Sequence, residues 1–309
     1  MKRVLIFGVG GFVGEYLTKE LQQRGYEVYG SDVANKHPGG IPFQRVDLMD
    51  TDAVNKLFVD VCPDAVVNLA AIANVGLSWK NPQMTIQVNV VGALNILEAA
   101  KACNPMPKVL FIGSSEEYAE ADKPINENSL LNSNNPYGIS KMTQEKFAES
   151  YRDRYGMQVY CVRAFNHTGV GQNENFVIPS WCKQVAEISN SGKPGVMRVG
   201  NLNVGRDFGN VKDVVRAYRM VLESDDCSKV YNIGTGSSVL LKDLLEYIVS
   251  LSKQPITVEV DPSLIRPVDT PYICCDHSLI TEKLGWEPEY TLFDTVKEMV
   301  EVFKGENRQ

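Results

Sequence analysis

Through the first half of the chain, short β-branched runs alternate with longer segments whose apolar positions recur every three or four residues. The strand-like runs cover residues 4–7, 27–30, 43–46, 65–68, 109–113 and 159–163. Helix-like stretches over 12–24, 52–59, 84–102 and 137–155 lie between them, and in the third Ala93, Ile96, Leu97 and Ala100 share one helical face. Strand and helix in alternation imply parallel pairing with right-handed crossovers, so the expected fold class is α/β with a doubly wound parallel sheet.

Beyond about Asn166 the pattern loosens, with Gly169, Gly171, Asn173 and Asn175 marking loop. Helix-like segments follow at 177–189, 211–222 and 240–252, with strand-like ones at 196–199, 230–233 and 256–260. Two helices, around 278–284 and 292–303, close the chain. At 309 residues the chain is twice the usual single-domain length of about 150. We therefore expect a first domain over 1–165 and a smaller α+β lobe mainly over 166–309, interleaved with it, part of 205–235 returning to the sheet.

Composition narrows the functional classes. Apolar residues make up 44% and charged residues 22%, ordinary globular values. The net charge of −7, without a Lys/Arg block, excludes the basic footprint of nucleic-acid binding and the polybasic patch of an anionic membrane surface. Any phosphate-bearing ligand must be gripped by a few placed groups. Seven scattered cysteines without framework spacing point to reduced thiols in a cytoplasmic protein. Three histidines and no CxxC spacing predict no metal site.

The first strand-like run leads into Gly8-Val9-Gly10-Gly11-Phe12-Val13-Gly14 and then a helix. Such a turn lets backbone approach a pyrophosphate closely while a helix N-terminus faces the anion. The spacing is GxxGxxG on Gly8, Gly11 and Gly14, since Val13 takes the place of the third glycine of GxGxxG. Asp32, at the expected offset near the second strand, suits the ribose hydroxyls of NAD and would repel a 2′-phosphate, while Lys36 leaves room for NADP. A loop-capping role is the alternative for Asp32. Asp47 is a candidate for the adenine amino group or a solvated loop acid. The expected cofactor contacts are Gly8, Gly11, Phe12, Val13, Gly14, Asp32, Asp47, Leu48, Leu69, Ala70 and Ala71, with Tyr137 and Lys141.

Tyr137 and Lys141 stand four apart on one helix face behind Pro136. An ammonium there is expected to lower the phenol pKa and ready it for proton transfer. A strand ending in Gly113-Ser114-Ser115 precedes them.

Together these residues resemble the extended short-chain dehydrogenase/reductases that act on nucleotide sugars, a family with a Rossmann-like cofactor domain. Asn89-Val90-Val91-Gly92-Ala93-Leu94-Asn95 is similar to the family's NVxGxxN segment, where Asn89 is read as structural. The resemblance makes Ser114 the hydrogen-bond partner of the sugar C4 oxygen, Tyr137 the acid/base and Lys141 a further holder of the nicotinamide ribose. It also implies a homodimer through the helices at 84–102 and 137–155.

Four segments are similar to the GDP-4-dehydro-6-deoxy-D-mannose reductases within that family. These are Gly113-Ser114-Ser115-Glu116-Glu117-Tyr118, Arg163-Ala164-Phe165-Asn166-His167-Thr168-Gly169-Val170-Gly171-Gln172, Val199–Leu202 with Arg206-Asp207-Phe208, and Arg266-Pro267-Val268-Asp269. Val170 and Ala119 depart from the usual proline and glycine. The resemblance places Ser114, Ser115, Glu116, Asn166, Arg206 and Arg266 at a GDP-linked hexose, the arginines suiting diphosphate through their planar forks. For Arg206 the plain alternative is a surface ion pair with Asp207, and for Arg266 a turn residue before proline. The expected reaction is NAD(P)H-dependent reduction of a GDP-4-keto-6-deoxyhexose, giving a product such as GDP-D-rhamnose. The rival is GDP-mannose 4,6-dehydratase, in which Glu116 would abstract the C5 proton; in a reductase Glu116 would be a second proton donor or a hydrogen-bonding group near the sugar. A non-catalytic dinucleotide sensor is disfavoured because Ser114, Tyr137 and Lys141 are all present. His167 and the Cys274-Cys275 pair are read as structural.

Overall fold

The computed structural model describes residues 2–226, 230–265 and 270–305. In chain order its strands are β1 Arg3–Phe7, β2 Glu27–Asp32, β3 Phe43–Arg45, β4 Ala65–Asn68, β5 Lys108–Ser114, β6 Val159–Ala164, β7 Asn166–Thr168, β8 Gly195–Val199, β9 Gly205–Asn210, β10 Val230–Ile233, β11 Ser238–Leu240 and β12 Ile256–Val260. Seven of them form one sheet in the order β10-β6-β5-β4-β1-β2-β3, and every pairing is parallel. The reversal beside β1 is the crevice where open α/β sheets place ligands.

Helices cover both faces: α1 Phe12–Gln23, α2 Thr51–Val61, α3 Val75–Lys80, α4 Pro82–Ile86, α5 Gly92–Lys101, α6 Pro136–Tyr155, α7 Val177–Ser191, α8 Val211–Glu223, α9 Leu241–Ser250, α10 Ser278–Leu284 and α11 Leu292–Lys304. Side chains alternate across the pleat. Val4 and Ile6 join the core formed with Leu17, Leu21, Val214 and Tyr218, whereas Leu5 and Phe7 join that of Val54, Phe58, Ile96 and Leu97. This double burial explains why the strands read as unbroken apolar runs. A third core, with Trp181, Val185, Leu244, Ile248, Val296 and Met299, sits among α7, α9 and α11. β10 returns to the large sheet beside β6, and α8 packs on α1.

The helix expected over 84–102 is a composite. α4 passes into a π-helical turn at Gln87–Val91 and then into α5. The widened turn lets Asn89 point inward, where it is fully buried. Its Oδ1 accepts from the Ile72 N–H at 2.8 Å, and its Nδ2 donates to the Ser140 hydroxyl at 2.8 Å, so its role is structural as expected. Three strands escaped the sequence pattern: β7, β9 and β11 form a small sheet in the order β11-β9-β7. Gly205–Asn210 reads GRDFGN, which carries neither an apolar run nor an alternation.

Trp79, Met84, Ile86, Val91 and Ile139 leave an exposed apolar face along α3 to α6. Among the described residues no helix is long and apolar enough to cross a membrane, and no His/Cys/Asp/Glu cluster has metal-binding form. The six described cysteines are free thiols, with Cys274 and Cys275 both buried.

Candidate active site

The glycine turn follows β1 at the crevice. Gly8 has φ of 76°, and a Cβ there would lie 2.6 Å from the Ala70 nitrogen. At Gly14 a Cβ would lie 2.2 Å from the Val9 carbonyl oxygen, so the close seating of α1 on the strand requires glycine. Gly11 differs. Its φ is −75°, and the nearest chain atom to a Cβ would be the Gly8 oxygen at 3.3 Å. The chain itself therefore excludes side chains at Gly8 and Gly14, while Gly11 presents open backbone at the N-terminus of α1. That cradle fits a dinucleotide pyrophosphate.

Gly10, which sequence reasoning passed over, is equally constrained: a Cβ would meet the Lys36 oxygen at 2.1 Å. Its N–H donates to Asp32 Oδ2 at 3.0 Å, and the Ala34 N–H donates to Oδ1 at 2.9 Å. Asp32 thus clasps the loop after β2 onto the glycine turn. Two of its four acceptor positions are used, and two are left for ribose hydroxyls. Asp47 is exposed and accepts from the Met49 N–H at 2.9 Å, while Leu48 is buried against Gly92. Leu69, Ala70 and Ala71 are half-buried beyond the end of β4. Phe12 opens α1 edge-on to Tyr16 and stacked at 6.5 Å on His167, and Val13 packs on the core below. All these positions lie along the carboxyl ends of β1 to β4.

Ser114 ends β5, and Tyr137 and Lys141 lie one turn apart near the start of α6, all three buried. The helix starts where it does because the Asn135 carboxamide oxygen accepts from the Gly138 N–H at 2.9 Å and Pro136 fills the first position. Lys141 Nζ lies 6.0 Å from the Tyr137 ring centroid and donates to the Ile112 carbonyl at 2.7 Å. Burial brings the Lys141 ammonium down to about 8, against the opposing charge of Glu117. The phenol of Tyr137 is pushed well above its ordinary value by burial; the Ser114 side chain pulls it down, and Glu117 and Glu116 push it up. The expected lowering by Lys141 is therefore corrected: burial dominates, and the ammonium is directed at the Ile112 carbonyl.

Ser115–Glu117 form a tight 3-10 turn closed as a capping box. The Ser114 hydroxyl oxygen accepts from the Glu116 N–H at 3.2 Å, and Glu117 Oε1 accepts from the Ser114 N–H at 2.7 Å. Two adjacent glutamates thereby take opposite fates. Glu116 lines a cavity of about 50 Å³ with Ser115, Tyr118, Asn134, Thr270 and Tyr272, and its Oε2 accepts from Asn135 Nδ2 at 2.9 Å. Glu117 turns inward and is fully buried, 3.9 Å from Arg163. Arg163 in turn binds both oxygens of Glu145, at 2.6 and 3.0 Å, and the Tyr118 hydroxyl at 2.7 Å. Sequence reasoning missed this polar layer under Ser114, because nothing local tells Glu117 from Glu116.

Burial pushes the Glu117 carboxyl up to about 8. The folded chain then keeps a proton that an unfolded glutamate releases near its ordinary value of about 4.3. As pH rises from about 4.5 to about 8, this group costs the fold stability. Glu117→Gln preserves an acceptor for Ser114 and removes the titration. Calorimetry from pH 5 to pH 8 should show the wild-type Tm falling relative to the variant by a few degrees. Parallel pH curves would refute the assignment.

The substrate candidates divide. Asn166 begins β7, paired with Phe208 of β9, and Ser115 is buried in the turn. Arg206 projects from β9, and its Nη1 donates to the carbonyls of Gly205 and Thr270 at 2.8 and 2.6 Å. It does not form the alternative surface pair with Asp207. Asp207 is buried, with its oxygens taken by the N–H groups of Thr235, Gly236 and Cys275 at 2.9 to 3.0 Å and by the Thr235 hydroxyl at 2.7 Å. Arg266 lies outside the described residues. His167 donates from Nδ1 to the Phe165 carbonyl at 3.0 Å, as expected of a structural histidine.

Comparison with known proteins places this geometry. A family model described as GDP-mannose 4,6 dehydratase matches residues 5–299. GDP-6-deoxy-D-mannose reductase of Pseudomonas aeruginosa is 30% identical over 312 positions, which take in 100% of this chain and 99% of that protein. GDP-mannose 4,6-dehydratase of Vibrio cholerae is 30% identical over 347 positions, taking in 97% of this chain and 92% of that one. Among solved structures, RMD from Pseudomonas aeruginosa complexed with NADPH is similar with a TM-score of 0.86 at 27% identity, covering 99% of this chain and 100% of that chain. UDP-glucose 4-epimerase from Brucella ovis in complex with NAD gives 0.87 at 26%, covering 98% and 99%. A doubly wound sheet, a glycine turn at its crevice and Ser114, Tyr137 and Lys141 at the end of β5 agree with a family match over nearly the whole length, and the chain belongs to the GDP-mannose 4,6-dehydratase family of extended short-chain dehydrogenase/reductases.

Proposed function

We propose that the chain is an NAD(P)H-dependent reductase that converts the C4 keto group of a GDP-4-keto-6-deoxyhexose to the alcohol, giving a GDP-6-deoxyhexose such as GDP-D-rhamnose. The observation that carries this reading is the match to GDP-6-deoxy-D-mannose reductase of Pseudomonas aeruginosa over 100% of this chain and 99% of that protein, joined to a buried Tyr137 phenol beside Ser114 that is placed to donate a proton. A reductase needs a proton donor at the C4 oxygen, whereas a reaction that begins by oxidising C4 needs a base there. The nicotinamide cofactor, when bound, supplies hydride to C4. Ser114 orients the C4 oxygen, Tyr137 passes it a proton, and Lys141 holds the nicotinamide ribose. The glycine turn and the N-terminus of α1 meet the pyrophosphate, and Asp32 on the ribose side favours NADH over NADPH. Asn166, Arg206 and Arg266 meet the GDP group. In this reading residues 1–165 form the cofactor domain and 166–309 mainly the substrate lobe.

Alignment length supports the same choice. The reductase matches end to end over 312 positions, whereas the Vibrio cholerae dehydratase is spread over 347 positions to take in 97% of this chain. The dehydratase reading is favoured by Glu116, whose carboxylate lines the cavity. One assay separates the two. Supplied with GDP-4-keto-6-deoxymannose, the chain should oxidise NADH or NADPH in proportion to the keto sugar consumed, followed by absorbance of the reduced nicotinamide. No oxidation of either cofactor, with conversion of GDP-mannose to the keto sugar instead, overturns the reductase in favour of the dehydratase.

A further inference from the structure

Asn135 is 4% exposed and uses both ends of its carboxamide. Its Oδ1 accepts from the Gly138 N–H at 2.9 Å, capping the helix that carries Tyr137. Its Nδ2 donates to Glu116 Oε2 at 2.9 Å and reaches Asn134 Oδ1 only at 3.5 Å. Capping requires an acceptor alone, and serine or aspartate serves as well as asparagine. The amino group is therefore surplus to the cap, and it is bonded to the carboxylate of Glu116, which lines the cavity beside Ser115 and Tyr272. Backbone contact reinforces the link. A Cβ on Gly138 would lie 2.2 Å from the Glu116 carbonyl oxygen and 2.1 Å from the Ser133 hydroxyl, so the turn after β5 is pressed onto the first turn of α6.

We propose that Asn135 is a positioning residue that holds the Glu116 carboxylate toward the sugar-binding cavity and locks this wall of the cavity to the helix bearing Tyr137. The inference rests on the reading that the keto sugar binds against Glu116. The amide keeps one Glu116 oxygen occupied and turns the other toward a sugar hydroxyl. The cavity wall then presents a fixed carboxylate that binds the sugar equally in the ground state and the transition state, so its loss is read in KM.

The test uses Asn135→Ser and Asn135→Asp, both of which keep a capping acceptor. Asn135→Ser removes the donor to Glu116 and should raise KM for GDP-4-keto-6-deoxymannose about tenfold, the worth of one hydrogen bond to a charged group. Its kcat should stay within about twofold, with NADH affinity unchanged and Tm lower by no more than a few degrees. Asn135→Asp sets carboxylate against carboxylate and should raise KM further. In N135D/E116Q the glutamine amide donates to the new aspartate, and KM should return to that of E116Q alone. A wild-type KM in N135S, or a KM in N135D/E116Q well above that of E116Q alone, overturns the inference. Failure of the wild-type chain to oxidise NADH or NADPH with this sugar is a separate result, which refutes the reductase reading before any variant is compared.

Discussion

Tyr137→Phe should lower kcat on GDP-4-keto-6-deoxymannose about 10³-fold while leaving the dissociation constant for NADH within about twofold, an effect in the range of a lost general acid. The substitution is conservative in every respect but one. The ring stays buried at the start of α6, where Asn135 and Pro136 set the helix. Lys141 keeps its bond to the Ile112 carbonyl, so the cofactor side of the site is unaltered. What disappears is the hydroxyl beside Ser114, the group placed to pass a proton to the C4 oxygen. Steady-state kinetics with a parallel fluorescence titration of NADH checks both halves. Activity within tenfold of wild type would remove Tyr137 from the proton step.

Gly11→Ala should weaken dinucleotide binding about 100-fold while changing Tm by only a few degrees, because a cap substitution of this kind costs about 1 kcal/mol or less. The expectation comes from the contrast within one turn. Alanine at Gly14 would drive into the Val9 backbone at 2.2 Å, and at Gly8 it would add a disfavoured φ, so loss of binding there could not be told from loss of fold. At Gly11 the φ of −75° suits any residue, and only the Gly8 oxygen at 3.3 Å stands near a new methyl group. A methyl at that position meets a pyrophosphate and little else. Calorimetry of the free protein and titration with NADH read the two effects separately. Undiminished affinity in the variant would show that the pyrophosphate does not approach this backbone.

How much of the site was legible depended on whether its cause was local. The glycine turn, Asp32, Ser114 and the Tyr137/Lys141 pair were readable because each sits at a fixed offset from a strand or helix end. The segment around Arg206 was readable as a motif but not as a strand. Asp207 is buried through partners at residues 235, 236 and 275, which only folding brings to it. The turn after β5 defeated local reading for another reason. Glu116 and Glu117 are chemically identical neighbours, and the capping box decides which one faces the cavity and which faces Arg163.

The sequence by itself determined the alternation of strand and helix, the doubly wound sheet and the edge of it where the candidate site lies. These follow from residue periodicity and from glycine geometry, both of which act over a few residues. Tertiary structure alone decided the burial that raises the Tyr137 pKa and lowers that of Lys141, the inward course of Glu117 and the coupling of Glu116 to Asn135. Each of these depends on desolvation and on hydrogen-bond partners supplied by other elements. A Tyr-x-x-x-Lys spacing fixes a shared helix face, but the dielectric around that face is set by what packs against it.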